Sequence, residues 1–579
     1  MKAIRIMTLL TMLSALVLPL GSCSRGPSAD ERFVGLANRY LDKSRELDPE
    51  WATSLGDHRF DNRLTDRSLA GYRRRADLQR AYLDSLDALD PQKLNQTNRI
   101  DYKILRNQLE GGLFAYEEIR EHEWNPLIYN LGGAIYGLLA RDFAPLRERL
   151  ANLKERLEGI PGVLAAARNN LQDPPRIHTE TAIQQNRGAI SLIMDDLQPY
   201  LEQAPDMKDE FTGVRAGAIA ALQAYGRWLE EDLLPRAAGD FRLGDARYRK
   251  KLHFTLESDL TKEEILAAAQ QDLRSTQDAI FETALELHAK FFPGVSLGNR
   301  PDRKAVVRKV LDRLAEDRPD NTTIVERARG YLAAATDFVR QNQLVSIPDE
   351  PIHLIVMPEY QRGVAVAYCD APGPLEEHGE TFYSIAPTPR SWDAARTESF
   401  FREYNDYMLN DLTMHEAMPG HYLQLAHANA FAAPTLVRAI FGSGTFIEGW
   451  ATYAEQFMVE QGYGGLELKM QQLKMRLRLI INAIIDQKIH TESMTEAEAM
   501  AMMMNEGYQE EGEAAGKWRR ACMSSTQLAT YYVGNVEVNR IRADYQDRAG
   551  GDFSLRGFHD ALLSFGSPAP RYVRELLGL

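Results

Sequence analysis

Two histidines six residues apart, His415 and His421, enclose Glu416, Pro419 and Gly420 in the run HEAMPGH, and a regular helix cannot put both rings on one side. At about 100° per residue, six residues turn the chain by roughly 600° and leave the rings about 120° out of register. The imidazoles can face a common point only if the helix is distorted between them. Pro419 removes a helical hydrogen bond and Gly420 tolerates unusual dihedrals, so the expected solution is a helix that takes up the two additional residues as a bulge. The shorter run HExxH returns its second histidine to the same face after one turn, where both can bind a metal with the glutamate as general base. Further on, Glu448 and Glu455 stand seven apart in EGWATYAE, on one helix face, and the uncharged GWATYA between them argues for burial. One can ligate the metal while the other supports a ligand from behind. Two neutral histidines, one carboxylate and a position left to water suit Zn2+.

Most of the remaining sequence reads as helix. Leu146, Leu150, Leu153, Leu157, Ile160 and Leu164 alternate spacings of four and three, which makes one apolar stripe. A long helix is expected after Thr261, opened by the capping box of Thr261 and Glu264 and closed by Pro293. Between Ile352 and Pro387 the runs IHLIVMPEY, GVAVAYCD and TFYSIAP are short, β-branched and aromatic, and they predict a small three-stranded sheet. Helix then resumes, including a segment opened by Thr495 and Glu498 whose methionines, Met500 to Met504, read as core filling. The expected fold is mainly α, with a helical lobe over 23–345 and, over 346–579, the small sheet plus a helical lobe carrying both motifs.

Charge and local motifs remove several classes of function. Lys and Arg number 68 against 82 Asp and Glu, so the net field at −14 repels a phosphate backbone and nucleic acid is not an expected partner. GxxxxGK[ST] and CxxC runs are both missing, which leaves nucleotide and thiol-redox chemistry without support. At the N-terminus Lys2 and Arg5 precede an apolar stretch from Ile6 to Leu20, shorter than the ~20 residues of a membrane-spanning helix, so residues 1–22 are expected to be a secretory signal. The sequence Leu20-Gly21-Ser22-Cys23 resembles a bacterial lipobox, which predicts cleavage before Cys23 and its lipidation. The mature chain would then face the periplasm from a lipid anchor, and Ser24 favours the outer membrane. Cys369 and Cys522 remain, able to pair or not.

The motifs HEAMPGH, EGWATYAE, IIDQKIH, QLATYYVG and RGFHDALLSFGSPAPRYV together resemble the bacterial domain-of-unknown-function 885 family over nearly the whole mature chain. That family is in turn similar to zinc metallopeptidases of the gluzincin type, including mainly helical, two-lobed ones with a deep cleft. The resemblance implies His415, His421 and Glu448 as ligands, Glu416 as base and Glu455 as their support, with His427 as a spare ligand. It also implies a donor for the oxyanion: Tyr531 first, by its YxxG context in Taq-type metallocarboxypeptidases, with the adjacent Tyr532 and His490 as further candidates. Asp486 and His490, four apart, would form a supporting or a merely structural pair, and His559 reads as a packed helix residue. In gluzincins an edge strand binds substrate backbone, which points to TFYSIAP and its Tyr383, Ser384 and Ile385. Arg476, Arg478, Arg542 and Arg571 are candidates for a substrate carboxylate.

The expected function is a lipid-anchored zinc metallopeptidase acting on short peptides, in which a metal-activated water attacks the carbonyl and Glu416 takes its proton. A zinc hydrolase of another amide or ester uses the same groups. A peptide-binding lipoprotein without turnover is the third reading, although binding alone has no need of the base Glu416.

Overall fold

The computed structural model describes residues 27–357, 366–376 and 379–579; the expected signal sequence and Cys23 lie outside them. Helix starts follow the local chemistry closely. In α1, Leu146–Asn170, the stripe Leu150, Leu153, Leu157, Ile160 and Leu164 is buried in an apolar core assembled from residues between Tyr129 and Leu233. Thr261 opens α2, Lys262–Phe291, with both halves of its capping box formed. The next helix used here, α3, is Ile324–Asn342.

The chain then forms the three expected strands, β1 (Ile352–Val356), β2 (Ala367–Asp370) and β3 (Thr381–Ile385), in the spatial order β1-β3-β2. The β1–β3 pair is parallel, with Leu354 opposite Tyr383, and β2–β3 is antiparallel, with Cys369 opposite Tyr383. This order corrects the edge-strand expectation. TFYSIAP supplies the central strand, whose backbone is paired on both sides, and Tyr383, Ser384 and Ile385 are fully buried. Strand addition cannot occur there. Local pattern locates strands, but their lateral order is set by packing between distant segments.

The second correction concerns HEAMPGH. The first histidine ends α4, Asp406–Glu416, and the second opens α5, His421–Ala430, so the run is a break between two helices and not a bulge within one. Ala417 leaves helical dihedrals, the Met418–Pro419 peptide is cis, and Gly420 caps the second helix at φ −77° and ψ −127°. At Gly420 the backbone folds back onto His415, and a Cβ there would collide with the His415 carbonyl oxygen. Only glycine fits so close an approach.

Helix α6, Gly444–Glu460, opens at Ser443, whose hydroxyl accepts from Phe446 N–H, and it carries both glutamates of EGWATYAE. Its Trp450 is fully buried and donates its indole N–H to Pro419 O at 2.9 Å, tying this helix to the α4–α5 break. After it come α7 (Gly465–Glu492), α8 (Glu496–Asn505), α9 (Glu511–Met523) and α10 (Ala529–Ala549). The capping box of Thr495 and Glu498 forms at the start of α8, and Met503 is buried there, as expected. Helices α6 and α10 cross where Gly449 meets Gly534, and a Cβ on Gly449 would lie 2.5 Å from the Gly534 carbonyl carbon. Two glycines at that crossing let the backbones touch. One core surrounds the break, built from Met414, Met418, Phe446, Trp450, Tyr453 and Phe558 with Ala335 and Val339 of α3. No described helix is long and apolar enough to cross a membrane.

Candidate metal centre

Helix α4 delivers His415, α5 delivers His421 and α6 delivers Glu448, and one ligand atom from each lies within 4.8 Å of the others. The Glu448 Oε2 stands 3.5 Å from His415 Nε2 and 3.4 Å from His421 Nε2, and the two rings are nearly perpendicular at 86°. Tetrahedral zinc with bonds of about 2.1 Å separates neighbouring donors by about 3.4 Å, which the two glutamate-to-histidine separations match. Burial also fits an open site. The side chains keep 11%, 12% and 17% exposure for His415, His421 and Glu448, enough for a small molecule to reach them.

The hydrogen bonds around the cluster orient the rings. His415 Nδ1 lies 2.6 Å from Glu455 Oε1, and a carboxylate there accepts the Nδ1 proton and leaves the Nε2 lone pair facing Glu448. Glu448 Oε2 has no hydrogen-bond partner among the described residues. Lone pairs converging in this way call for a cation between them. Without a metal, a proton meets that demand. Burial works against a charged His415, but Glu448 and Glu455 override it and raise its pKa well above the usual imidazole range. Burial likewise opposes a charged Glu448, and its contacts with His415 and His421 hold its carboxyl far below the ordinary range.

Glu416 is set apart from the ligands. Its Oε2 accepts from the Cys369 backbone N–H of β2 at 3.1 Å, and burial pushes its pKa up, with the neighbouring histidines opposing. Because Cys369 directs this N–H away from β3, the side of β2 that no described strand pairs with is turned toward the end of α4. β2 rather than β3 is therefore the strand edge beside the cluster.

The glycine crossing of α6 and α10 brings Tyr531 near. Its ring centre lies 6.5 Å from that of His415, and its hydroxyl accepts from Arg520 Nη2 at 2.9 Å. Tyr532 points elsewhere and donates to Asp272 at 3.0 Å. The structure does not bring His490 to the cluster: its Nε2 faces the carbonyls of Ala521 and Ser524 at 3.0 and 2.8 Å, and its ring packs against Phe241 and Tyr248. Asp486 accepts from Tyr248 OH and Thr526 N–H, each at 3.1 Å, and supports no ligand. His427 binds Ser346 O, and His559 is buried between Leu344 O and Tyr453 OH. Cys369 and Cys522 are both free thiols.

All four candidate carboxylate-binding arginines are engaged. Arg476 donates to Gln456, Arg478 pairs with Glu403, Arg542 with Glu460 at 2.7 Å and Arg571 with Asp259 at 3.0 Å. Three other residues emerge instead. Asp411, one turn before His415, is completely buried beside Glu455, and neither of its oxygens has a hydrogen-bond partner among the described residues. Lys517 and Arg520 of α9 lie near enough to Glu448 to feel its charge. Asp411 could have been flagged by its i, i+4 spacing to His415, whereas GKWRR looks like a solvated basic run. A cavity of about 470 Å³ lined by Tyr40, Trp51, Phe114 and Phe254 lies away from the cluster and includes none of its ligands.

The chain matches a family described as "Bacterial protein of unknown function (DUF885)" over residues 49–577. No curated protein matches it. A solved structure from Shewanella oneidensis, described as a candidate lipoprotein of unknown function, is 33% identical with a TM-score of 0.80, over 94% of this chain and 100% of that one. Another from Colwellia psychrerythraea, also described as a candidate lipoprotein, has a TM-score of 0.79 over 95% of this chain and 99% of that one. At 16% identity the second likeness is one of fold.

Proposed function

The chain belongs to the bacterial DUF885 family of unknown function, and from the geometry of its histidine and glutamate cluster we propose that it is a zinc-dependent peptidase. The observation that carries the reading is the convergence of His415 Nε2 and His421 Nε2 on an unpartnered Glu448 oxygen at 3.5 and 3.4 Å, with Glu416 held beside them by a backbone N–H. His415, His421 and Glu448 would hold the ion. When bound, zinc supplies Lewis acidity, which makes water a nucleophile near neutral pH and polarises the carbonyl under attack.

Glu416 receives the proton of the attacking water and passes it to the departing amine, and burial, by raising its pKa, makes it a better proton acceptor. Tyr531 donates its hydroxyl proton in a hydrogen bond to the oxyanion, oriented by Arg520. Glu455 fixes the His415 ring through Nδ1. An extended peptide would lie along β2, the edge strand beside Glu416 among the described residues, a role the sequence gives to β3.

Lipidation of Cys23 is part of the same proposal. It is supported by the lipobox-like LGSC and by the 33% identical relative described as a candidate lipoprotein, and Ser24 favours the outer membrane. The test is digestion of a mixed peptide library by the zinc-loaded protein. The expected result is cleavage that Glu416→Gln lowers about 10²–10⁴-fold while retaining zinc. Equal cleavage by both proteins, or none by either, would overturn the reading.

A further inference from the structure

Two cations on α9 stand over the cluster without a full complement of acids. Arg520 is exposed, and its Nη2 donates to Tyr531 OH and Gln527 Oε1, each at 2.9 Å. Among the described residues no carboxylate pairs with it directly. Lys517, three residues earlier on the same helix, is only 11% exposed, and its one ion pair among the described residues is a long contact to Glu513 at 3.8 Å. That carboxylate already accepts from Tyr404 OH at 2.8 Å and lies beside Arg478. Burial pushes the Lys517 ammonium down to about 8, with Arg520 and Arg478 adding repulsion. An anion arriving here would relieve both.

The position of Arg520 selects the kind of anion. If Tyr531 donates to the oxyanion of the scissile carbonyl, the guanidinium touching its hydroxyl is about one residue farther along the substrate, since successive Cα atoms are about 3.8 Å apart. We propose that Arg520 and Lys517 bind the C-terminal carboxylate of the substrate, so that the protein removes single residues from peptide C-termini. The proposal rests on the zinc-peptidase reading and adds the substrate class. A guanidinium offers parallel N–H donors that match a carboxylate, and the ammonium completes the charge. Water adds to the carbonyl carbon, the C–N bond breaks, and the proton taken by Glu416 goes to the leaving nitrogen. The products are a peptide shortened by one residue, with a new carboxylate, and one free amino acid.

The test uses zinc-loaded protein and two pools of hexapeptides with the same sequences, one with free C-terminal carboxylates and one amidated, with released products identified by mass. Wild type is expected to liberate single C-terminal residues from the acids with kcat/KM about 30-fold above the amides. Arg520→Ala should bring that ratio close to one, chiefly through KM. Lys517→Met should lower it several-fold and Arg520→Lys should preserve part of it. On Glu416→Gln protein, acids should bind more tightly than amides by a similar factor, a readout independent of turnover. Internal cleavage, equal use of acids and amides, or an acid-to-amide ratio unmoved by Arg520→Ala would overturn the carboxylate site while leaving the peptidase reading intact. Failure of wild type to cleave or bind either pool would overturn both.

Discussion

Two buried polar clusters lie close together in this protein, and only one has its carboxylate oxygens all matched by donors, although Arg478 Nε beside it lacks a partner among the described residues. Around Glu403, Lys474 donates at 2.9 Å, Arg478 pairs through a second short contact, and the Glu510 backbone N–H donates at 2.9 Å, so each carboxylate oxygen is matched by a donor. Around His415 the count does not close: Glu448 Oε2, Glu455 Oε2, His421 Nδ1 and both oxygens of Asp411 have no hydrogen-bond partner among the described residues. Equal burial with unequal satisfaction sets the proposed metal site apart from the structural network around Glu403. Unpaired buried acceptors cost folding free energy, and a cation held by His415, His421 and Glu448, as proposed above, would remove that cost at Glu448 Oε2.

The largest expected contrast comes from breaking the cluster around Glu403. Glu403→Gln strands Lys474 and Arg478 in the interior and should cost about 3–5 kcal/mol, whereas His421→Ala in metal-free protein should cost about 1 kcal/mol or less. Thermal unfolding of both variants against wild type measures the difference, and equal losses would erase the distinction.

Asp486 provides an intermediate case, as buried as Glu403 but held by the neutral donors Tyr248 OH and Thr526 N–H. Burial pushes its pKa up to about 7, above the ~3.9 of an unfolded chain. Between those values the native state holds a proton that the unfolded state lacks, so this group's contribution to stability falls as pH rises from about 4 to 7. Asp486→Asn should remove roughly 2–4 kcal/mol of that decline, seen by comparing unfolding at pH 5 and pH 8. A variant with the wild-type pH slope would place the titration elsewhere. A smaller effect of about 2.7 kcal/mol should follow from adding zinc at a hundred times its dissociation constant. The rise in melting temperature should vanish in His421→Ala and persist in Asp486→Asn.

Much of this was legible in the sequence because it is local. Capping boxes at Thr261 and Thr495, the stripe from Leu150 to Leu164 and three short strands follow from spacing and residue type. The pairing of His415 with Glu455 follows from EGWATYAE once both motifs face one point. The break after Glu416 was misread as a bulge because only the tertiary packing shows the chain folding back onto the His415 carbonyl at Gly420. The central place of β3, the choice of Tyr531 over Tyr532 and the approach of Lys517 and Arg520 all depend on contacts between segments far apart in sequence.

If zinc completes the cluster around His415, elemental analysis of the purified protein beside Glu416→Gln and His421→Ala will read it out. About one zinc per chain in wild type and in Glu416→Gln, with loss in His421→Ala, is the predicted result. No stoichiometric metal in wild type after growth with zinc supplied, or full retention by His421→Ala, would contradict it.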